Sequence, residues 1–193
     1  MRIIAGSAGG IPLKTPRGGT RPTADRVREA LFASLGSLLV GARVLDLYAG
    51  SGSLGIEALS RGADSALFVE QQRQAGEVIQ ANLDKSRLEG GLIRRSEVMK
   101  FLRGHRVVDG GAYDLIFADP PYAKDQTTAA ELLALSTNDD LVNLLGDKGV
   151  LILETMASVE LPELIAQRWE VRDERRYGET RISFLVKLSL TGA

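Results

Sequence analysis

The chain has 193 residues, which fits one domain, and 44% of them are hydrophobic, enough for a packed core. It has no cysteine and one histidine, which excludes disulfides and clusters of cysteine and histidine around a metal, so we expect no metal. The net charge of −1 excludes binding to nucleic acid through overall charge. Neither a membrane-spanning run nor a signal peptide is visible, so we expect a cytoplasmic protein.

The N-terminal segment is basic on a nearly neutral chain. We expect residues 1–22 to form a small hairpin or arm, with extended runs at 2–5 and 11–14, and residues 23–193 to form a single further domain. Six basic residues and one acid lie in the first 28 positions. Such a segment suits phosphates, although a solvated surface has the same composition. The predicted RNA contacts are Arg17, Arg21, Arg26 and Arg28.

Helices and strands are predicted to alternate through the rest of the chain. A helix over 23–39 has its apolar residues at helical spacing. Strands are predicted over 44–47, 65–70, 92–93, 113–118 and 149–154. Helices are predicted between them over 53–61, 72–86 and 98–102, and helical stretches fill 127–145. This alternation predicts a mostly parallel sheet with helices on both faces. Strands over 169–175 and 181–188 are predicted to form an antiparallel pair at the sheet edge.

A glycine-rich loop follows the first strand of this sheet and opens a helix. Residues 50–55 match G-x-G-x-x-G, in which the glycines permit a tight turn and close approach of a ligand to the helix N-terminus. Glu70 ends the next strand, 20 residues after Gly50. A carboxylate at this position can accept from both ribose hydroxyls of a nucleoside. The loop therefore predicts a nucleoside cofactor.

Two cofactor classes fit the loop. A dinucleotide would place its pyrophosphate there, and S-adenosylmethionine its amino-acid end. Asp46, four residues before Gly50, favours S-adenosylmethionine, because a carboxylate attracts an amine and a sulfonium and repels pyrophosphate. For Glu97, a contact with the adenine amino group and an acid at a helix start are equally good interpretations. The predicted cofactor-binding residues are Asp46, Tyr48, Ala49, Gly50, Gly52, Glu70 and Glu97.

The string Asp119-Pro120-Pro121-Tyr122 directly follows the predicted strand over 113–118. It therefore lies at the carboxyl edge of the sheet, where open α/β folds bind ligands. The exocyclic amine of a base is a weak nucleophile, because its lone pair is delocalised into the ring. Asp119 and the carbonyl of Pro120 can accept its two hydrogens, Pro121 stiffens the loop, and Tyr122 can stack on the base. We predict that these four residues are catalytic and act mainly by positioning and electrostatics.

These motifs resemble the bacterial RsmD family, which methylates N2 of a guanine in 16S ribosomal RNA. The resemblance covers nearly the whole chain and is carried by residues 2–6 with 21–29, 45–55 with 57–63, and 119–122. It implies a Rossmann-like class I S-adenosylmethionine-dependent methyltransferase with a mostly parallel seven-stranded sheet. It also implies that block 21–29 lies beside the active site, and that the partner is ribosomal RNA in the small subunit or an assembly intermediate.

Four other functions remain open. An adenine-N6 methyltransferase shares the loop, but no extra target-recognition region follows Tyr122. A protein-glutamine methyltransferase usually has Asn in place of Asp119. An NAD(P)-dependent oxidoreductase needs a proton donor such as a Tyr-Lys pair, for which no suitable position is found. A catalytically silent RNA-binding module is disfavoured by the presence of Asp119 and Glu70.

Overall fold

The predicted alternation of strands and helices is confirmed in a computed structural model, which describes residues 1–16, 25–105, 113–120, 126–159 and 163–188. The predicted helix start at Thr23 lies outside these ranges. Short 3-10 helices occur at Gly36–Leu39 and Glu163–Gln167. The helices are α1 (Asp25–Leu35), α2 (Ser53–Ser60), α3 (Arg73–Ser86), α4 (Val98–Gly104), α5 (Gln126–Ser136) and α6 (Asp139–Leu144). The strands are β1 (Arg43–Leu47), β2 (Ser65–Glu70), β3 (Gly91–Arg95), β4 (Tyr113–Ala118), β5 (Leu145–Met156), β6 (Trp169–Tyr177) and β7 (Thr180–Lys187).

The seven strands form one sheet in the order β3-β2-β1-β4-β5-β7-β6. Strands β1 to β5 are parallel, whereas β7 is antiparallel to β5 and β6 is antiparallel to β7. The predicted fold class and the C-terminal antiparallel pair are therefore confirmed. The strand order reverses between β1 and β4. Open α/β sheets bind ligands at such a point, beyond the carboxyl ends of the strands.

Helices cover both faces of the sheet. The first core lies between the sheet and helices α1, α2 and α3, and the second lies between the sheet and helices α4, α5 and α6. In β1, Val44 belongs to the first core, and Leu45 and Leu47 belong to the second. Because successive side chains of a strand point to opposite faces, Asp46 projects to the first face.

Residues 1–16 contain a short antiparallel contact, and the predicted unit 1–22 stays a prediction. Arg2 forms an isolated bridge with Pro12, and the amide of Ile3 donates to the carbonyl of Ile11 at 2.9 Å. Ile3, together with Ala8 and Leu13, is buried in the first core. Residues 1–16 therefore pack on the main body of the chain.

Two polar residues of α2 hold this N-terminal segment. The buried carboxylate of Glu57 accepts from the amides of Ile4 at 2.7 Å and Ala5 at 3.1 Å. Gly6 has φ +87°, and a Cβ there would lie 1.8 Å from the carbonyl oxygen of Ser60. The positive φ and the close carbonyl oxygen each require glycine at position 6. Glu57 and Ser60, which belong to block 57–63, therefore hold the N-terminal segment in place.

Candidate active site

The three glycines of the loop between β1 and α2 are needed for different reasons. Gly50 and Gly52 have φ values of +57° and +76°, in the left-handed region that glycine adopts most easily. Gly55 lies inside α2, where a Cβ would come within 2.3 Å of Cε1 of Phe68. The first two glycines therefore shape the turn, and the third lets the helix lie close to β2.

Asp46 lies under the glycine loop and is 2% exposed. Its Oδ2 accepts from the amide of Gly55 at 2.9 Å, which supplies an acceptor to the first turn of α2. Burial raises the pKa of Asp46 to about 7; the Gly55 hydrogen bond opposes this shift and the nearby Glu70 adds to it. A bound cation would offset the burial penalty and favour the ionised form.

Glu70 also supports the glycine loop. One carboxylate oxygen accepts from the amide of Gly50 at 2.9 Å, and the other accepts from the amide of Gln72 at 2.7 Å. The residue is 8% exposed. Each carboxylate oxygen has a second lone pair, so Glu70 retains the capacity to accept from ribose hydroxyls. The contact with ribose stays a prediction.

The other predicted cofactor contacts take up the following positions. Glu97 is the N-cap of α4, and its carboxylate accepts from the amides of Met99 and Lys100, both at 2.7 Å. This is the helix-start interpretation, and a contact with adenine stays a prediction. Ala49 is buried, and Tyr48 has φ +59° with its ring packed against the second core. Burial, and then the nearby Glu131, raise the pKa of the Tyr48 phenol.

Asp119 follows the last residue of β4. Phe117 belongs to the first core, so Asp119, two residues later, projects to the same face. Burial raises the pKa of Asp119 well above its ordinary value, and the carboxylates of Glu154 and Asp46 raise it further. Pro120 is buried. Pro121 and Tyr122 lie outside the described residues, so their predicted roles stay predictions.

Glu154 was not predicted from the sequence. Ala118 of β4 pairs with Leu153 of β5, which places Asp119 level with Glu154 in the neighbouring strand. Ile152 belongs to the first core, so Glu154 also projects to the first face, where it is 6% exposed. A carboxylate that directly follows the apolar run 150–153 was the signal that could have identified it.

The carboxyl edge of the sheet thus carries four carboxylates on one face, near the carboxyl ends of β2, β1 and β4 and level with them on β5. Like charges in a buried setting repel one another, so this crevice favours ligands that bring positive charge or hydrogen-bond donors. A pyrophosphate would meet repulsion, which argues against a dinucleotide. The four residues are Asp46, Glu70, Asp119 and Glu154.

The N-terminal arginines differ in their surroundings. Arg26 is exposed on α1, whereas Arg28 is 0% exposed and donates to Oδ1 of Asp25 at 2.9 Å and to the carbonyl of Arg2. This placement contradicts the prediction that Arg28 contacts RNA phosphates, because a fully buried guanidinium does not reach a phosphate at the surface. Arg17 and Arg21 lie outside the described residues.

Sequence reasoning missed Asn82, which is fully buried in α3. Its side-chain amide donates to the carbonyls of Lys14 and Ser51, both at 3.0 Å, and accepts from the amide of Lys14 at 2.8 Å. The N-terminal segment is thereby tied to the glycine loop. A lone asparagine between the apolar Ile79 and Leu83 was the available signal.

A cavity of about 630 Å³ lies at the opposite edge of the sheet, where the strands begin, and it is lined by Arg43, Gly90, Lys100, His105 and Tyr113 among others. None of the four carboxylates lines it. In the described part of the chain, no group of three potential ligands could hold a metal ion. No helix in those ranges is long and apolar enough to cross a membrane.

We predict that Asp46→Asn removes a pH dependence of stability. A buried carboxyl whose pKa is raised stabilises the fold below its unfolded pKa near 4, and this stabilisation is lost as the pH rises through about 7. A tenfold change in proton affinity between the folded and unfolded chains corresponds to about 1.4 kcal/mol. The melting temperature of Asp46→Asn minus that of the wild type, measured without cofactor, should therefore increase from pH 5 to pH 8. A difference in melting temperature that does not change with pH would contradict this prediction. Asp64→Asn, at an exposed position, is the control.

The chain is similar to known proteins over almost its whole length. The family described as Conserved hypothetical protein 95 matches residues 1–186. The Bacillus subtilis (strain 168) protein YlbH is 38% identical over 189 residues, covering 97% of this chain and 99% of YlbH. Ribosomal RNA small subunit methyltransferase D of Escherichia coli (strain K12) is 36% identical over 186 residues, covering 93% of this chain and 86% of that protein.

A solved structure has the same architecture. The structure of a hypothetical protein from Thermus thermophilus superposes with a TM-score of 0.77 at 31% identity, covering 97% of this chain and 99% of that chain. The similarity of fold therefore spans nearly the whole length of both chains.

Proposed function

This chain belongs to the RsmD family, and we propose that it is an S-adenosylmethionine-dependent methyltransferase that methylates the N2 amine of a guanine in 16S ribosomal RNA. The observation that carries the proposal is the position of Asp119 at the carboxyl edge, on the same face as Asp46 and Glu70. The donor of the methyl group and the acceptor amine would meet at this point of the sheet.

The cofactor fits the residues of the crevice. S-adenosylmethionine, when bound, supplies a methyl group activated by its attachment to a sulfonium. Asp46 would attract the cationic end of the cofactor, the turn at Gly50 and Gly52 would lie against its amino-acid part, and Glu70 would accept from the ribose hydroxyls. Glu97 would lie near the adenine. The field of the carboxylates favours the positive charge of this cofactor.

Asp119 and the carbonyl of Pro120 would hold the target amine. Accepting its two hydrogens favours a pyramidal nitrogen whose lone pair faces the methyl group. The repulsion that Asp119 experiences from Glu154 and Asp46 is relieved when an N–H donor approaches it. Asp119 would also accept the proton that leaves the methylated nitrogen. Tyr122 would stack on the base after it leaves its helix.

We propose that Arg17, Arg21 and Arg26 of the N-terminal region bind RNA phosphates. Arg17→Glu is expected to weaken binding to ribosomal RNA strongly at low salt and much less at high salt, because one lost phosphate contact lowers the salt slope by about one unit. Arg26→Glu is expected to behave alike, since Arg26 is exposed on α1. Affinity for the cofactor should not change. Filter binding of RNA at several salt concentrations measures the RNA affinity and its salt slope.

The matched control is Arg103→Glu. Arg103 is exposed at the end of α4, on the opposite face of the sheet, and should leave the salt slope unchanged. If Arg17→Glu and Arg26→Glu bind RNA as tightly as Arg103→Glu does at low ionic strength, the N-terminal region is not an RNA-binding surface.

Transfer of tritium from labelled cofactor to ribosomal RNA tests the proposal. The substrates are naked 16S RNA, the small subunit and assembly intermediates, and the labelled RNA is digested to nucleosides. The expected product is N2-methylguanosine. Label in N6-methyladenosine would favour the adenine enzyme instead. Label in protein and none in RNA would exclude an RNA methyltransferase.

A further inference from the structure

Glu154 lies beside the predicted target site, and the function proposed above assigns it no contact with the cofactor or the target base. It is level with Asp119 in the neighbouring parallel strand, on the same face of the sheet, and it is 6% exposed. Neighbouring strands are about 4.8 Å apart, so the two carboxyl groups lie within reach of one small planar ligand. Two acids side by side repel each other, and a ligand that brings hydrogen-bond donors lowers this repulsion.

The hydrogen-bonding edges of the bases differ at this point. Guanine carries a hydrogen on N1 next to its N2 amine, so two donors lie side by side. Adenine carries an acceptor, N1, next to its N6 amine. An ionised carboxylate accepts and does not donate. A pair of carboxylates therefore complements the guanine edge and repels N1 of adenine.

We propose that Glu154 accepts a hydrogen bond from N1–H of the target guanine while Asp119 holds the adjacent N2 amine, so that Glu154 selects guanine over bases without a hydrogen at N1. This inference rests on the proposed guanine-N2 methylation and adds the residue that determines the base. Burial is the main cause of the raised pKa of Asp119, and repulsion from Glu154 adds to it, which is consistent with the closeness of the two groups.

The test uses an RNA in which the target guanine is replaced by 2-aminopurine. This base keeps the 2-amine but has an acceptor at N1. A site built to hydrogen-bond a donor discriminates strongly against an analogue that lacks it. The wild-type enzyme should therefore methylate the guanine RNA with a kcat/KM about 100-fold or more above that for the 2-aminopurine RNA.

Glu154→Gln supplies the matching change in the protein. A side-chain amide can donate to N1 of 2-aminopurine as well as accept from N1–H of guanine. The variant should lose at least about tenfold on guanine, because a hydrogen bond to a charged acceptor is replaced by a neutral one. It should lose less or gain on 2-aminopurine, so that the ratio of the two kcat/KM values falls. Glu170→Gln, an exposed glutamate on β6, should leave the ratio unchanged.

The outcomes separate this inference from the function on which it rests. If the wild type forms no N2-methylguanosine, the proposed function fails and the inference fails with it. If the product is N2-methylguanosine but Glu154→Gln reduces both substrates equally, Glu154 is not a specificity residue. Equal wild-type rates on guanine and 2-aminopurine overturn the inference without any variant, so the test does not depend on the folding of Glu154→Gln.

Discussion

Asp119→Ala is expected to bind S-adenosylmethionine as the wild type does and to lose methyl transfer by about 100- to 1,000-fold, the usual effect of removing one preorganised polar group from a site. The loss should appear mainly in kcat, because the contact with the target nitrogen matures in the transition state. Single-turnover assays combined with calorimetry of cofactor binding separate the two effects.

The electrostatics of the crevice allow this test to distinguish a loss of activity from a loss of folding. Burial raises the pKa of Asp119, and repulsion from Glu154 and Asp46 raises it further. Removing the carboxylate relieves that repulsion, so Asp119→Ala should not unfold more easily at pH 8 than the wild type. Asp147→Ala, an exposed acid on β5, is the control. A variant that loses cofactor affinity while its turnover per bound enzyme stays normal would contradict the assigned role.

Glu70→Ala is expected to lower cofactor affinity at least about tenfold, since a lost hydrogen bond to a charged acceptor costs about 1.5–3 kcal/mol. Two contributions are combined here, because Glu70 also accepts from the amides of Gly50 and Gln72. Calorimetry with S-adenosylhomocysteine gives the total effect. The exposed Glu77→Ala on α3 is the control and should bind as the wild type does.

An analogue of S-adenosylhomocysteine without ribose hydroxyls divides the two contributions. If Glu70 accepts from these hydroxyls, Glu70→Ala loses clearly less affinity for the analogue than for the complete ligand, and the difference is the coupling energy. Equal losses for both ligands would restrict Glu70 to holding the loop. No loss for either ligand would remove it from the cofactor site altogether.

Much of the candidate site was predictable because strand ends in a parallel sheet share one edge. Asp46, Glu70 and Asp119 each lie at or after a strand that is recognisable from its apolar run, and the alternation of strands and helices orients those strands alike. The glycine loop was recognisable because its glycines follow a strand and precede a helix. Local pattern is sufficient for such features, since each depends on a few consecutive residues.

Charge along the chain was a poorer guide. Arg28 is one of six basic residues near the N-terminus, yet it is fully buried against Asp25 and the carbonyl of Arg2. Helical period indicates the side of α1 on which a residue lies, but it does not reveal whether a distant segment covers that side. The N-terminal segment does so here, through partners more than 50 positions away in α2.

The sequence by itself determined the order of the elements, the parallel sheet and the three carboxylates at its carboxyl edge, because these follow from periodicity and short motifs. The tertiary structure alone decided that Glu154 lies level with Asp119, since this depends on the register of β5 against β4. It alone showed that Asn82 joins Lys14 to Ser51. Contacts between segments distant in the chain are set by packing, which local residue patterns do not encode.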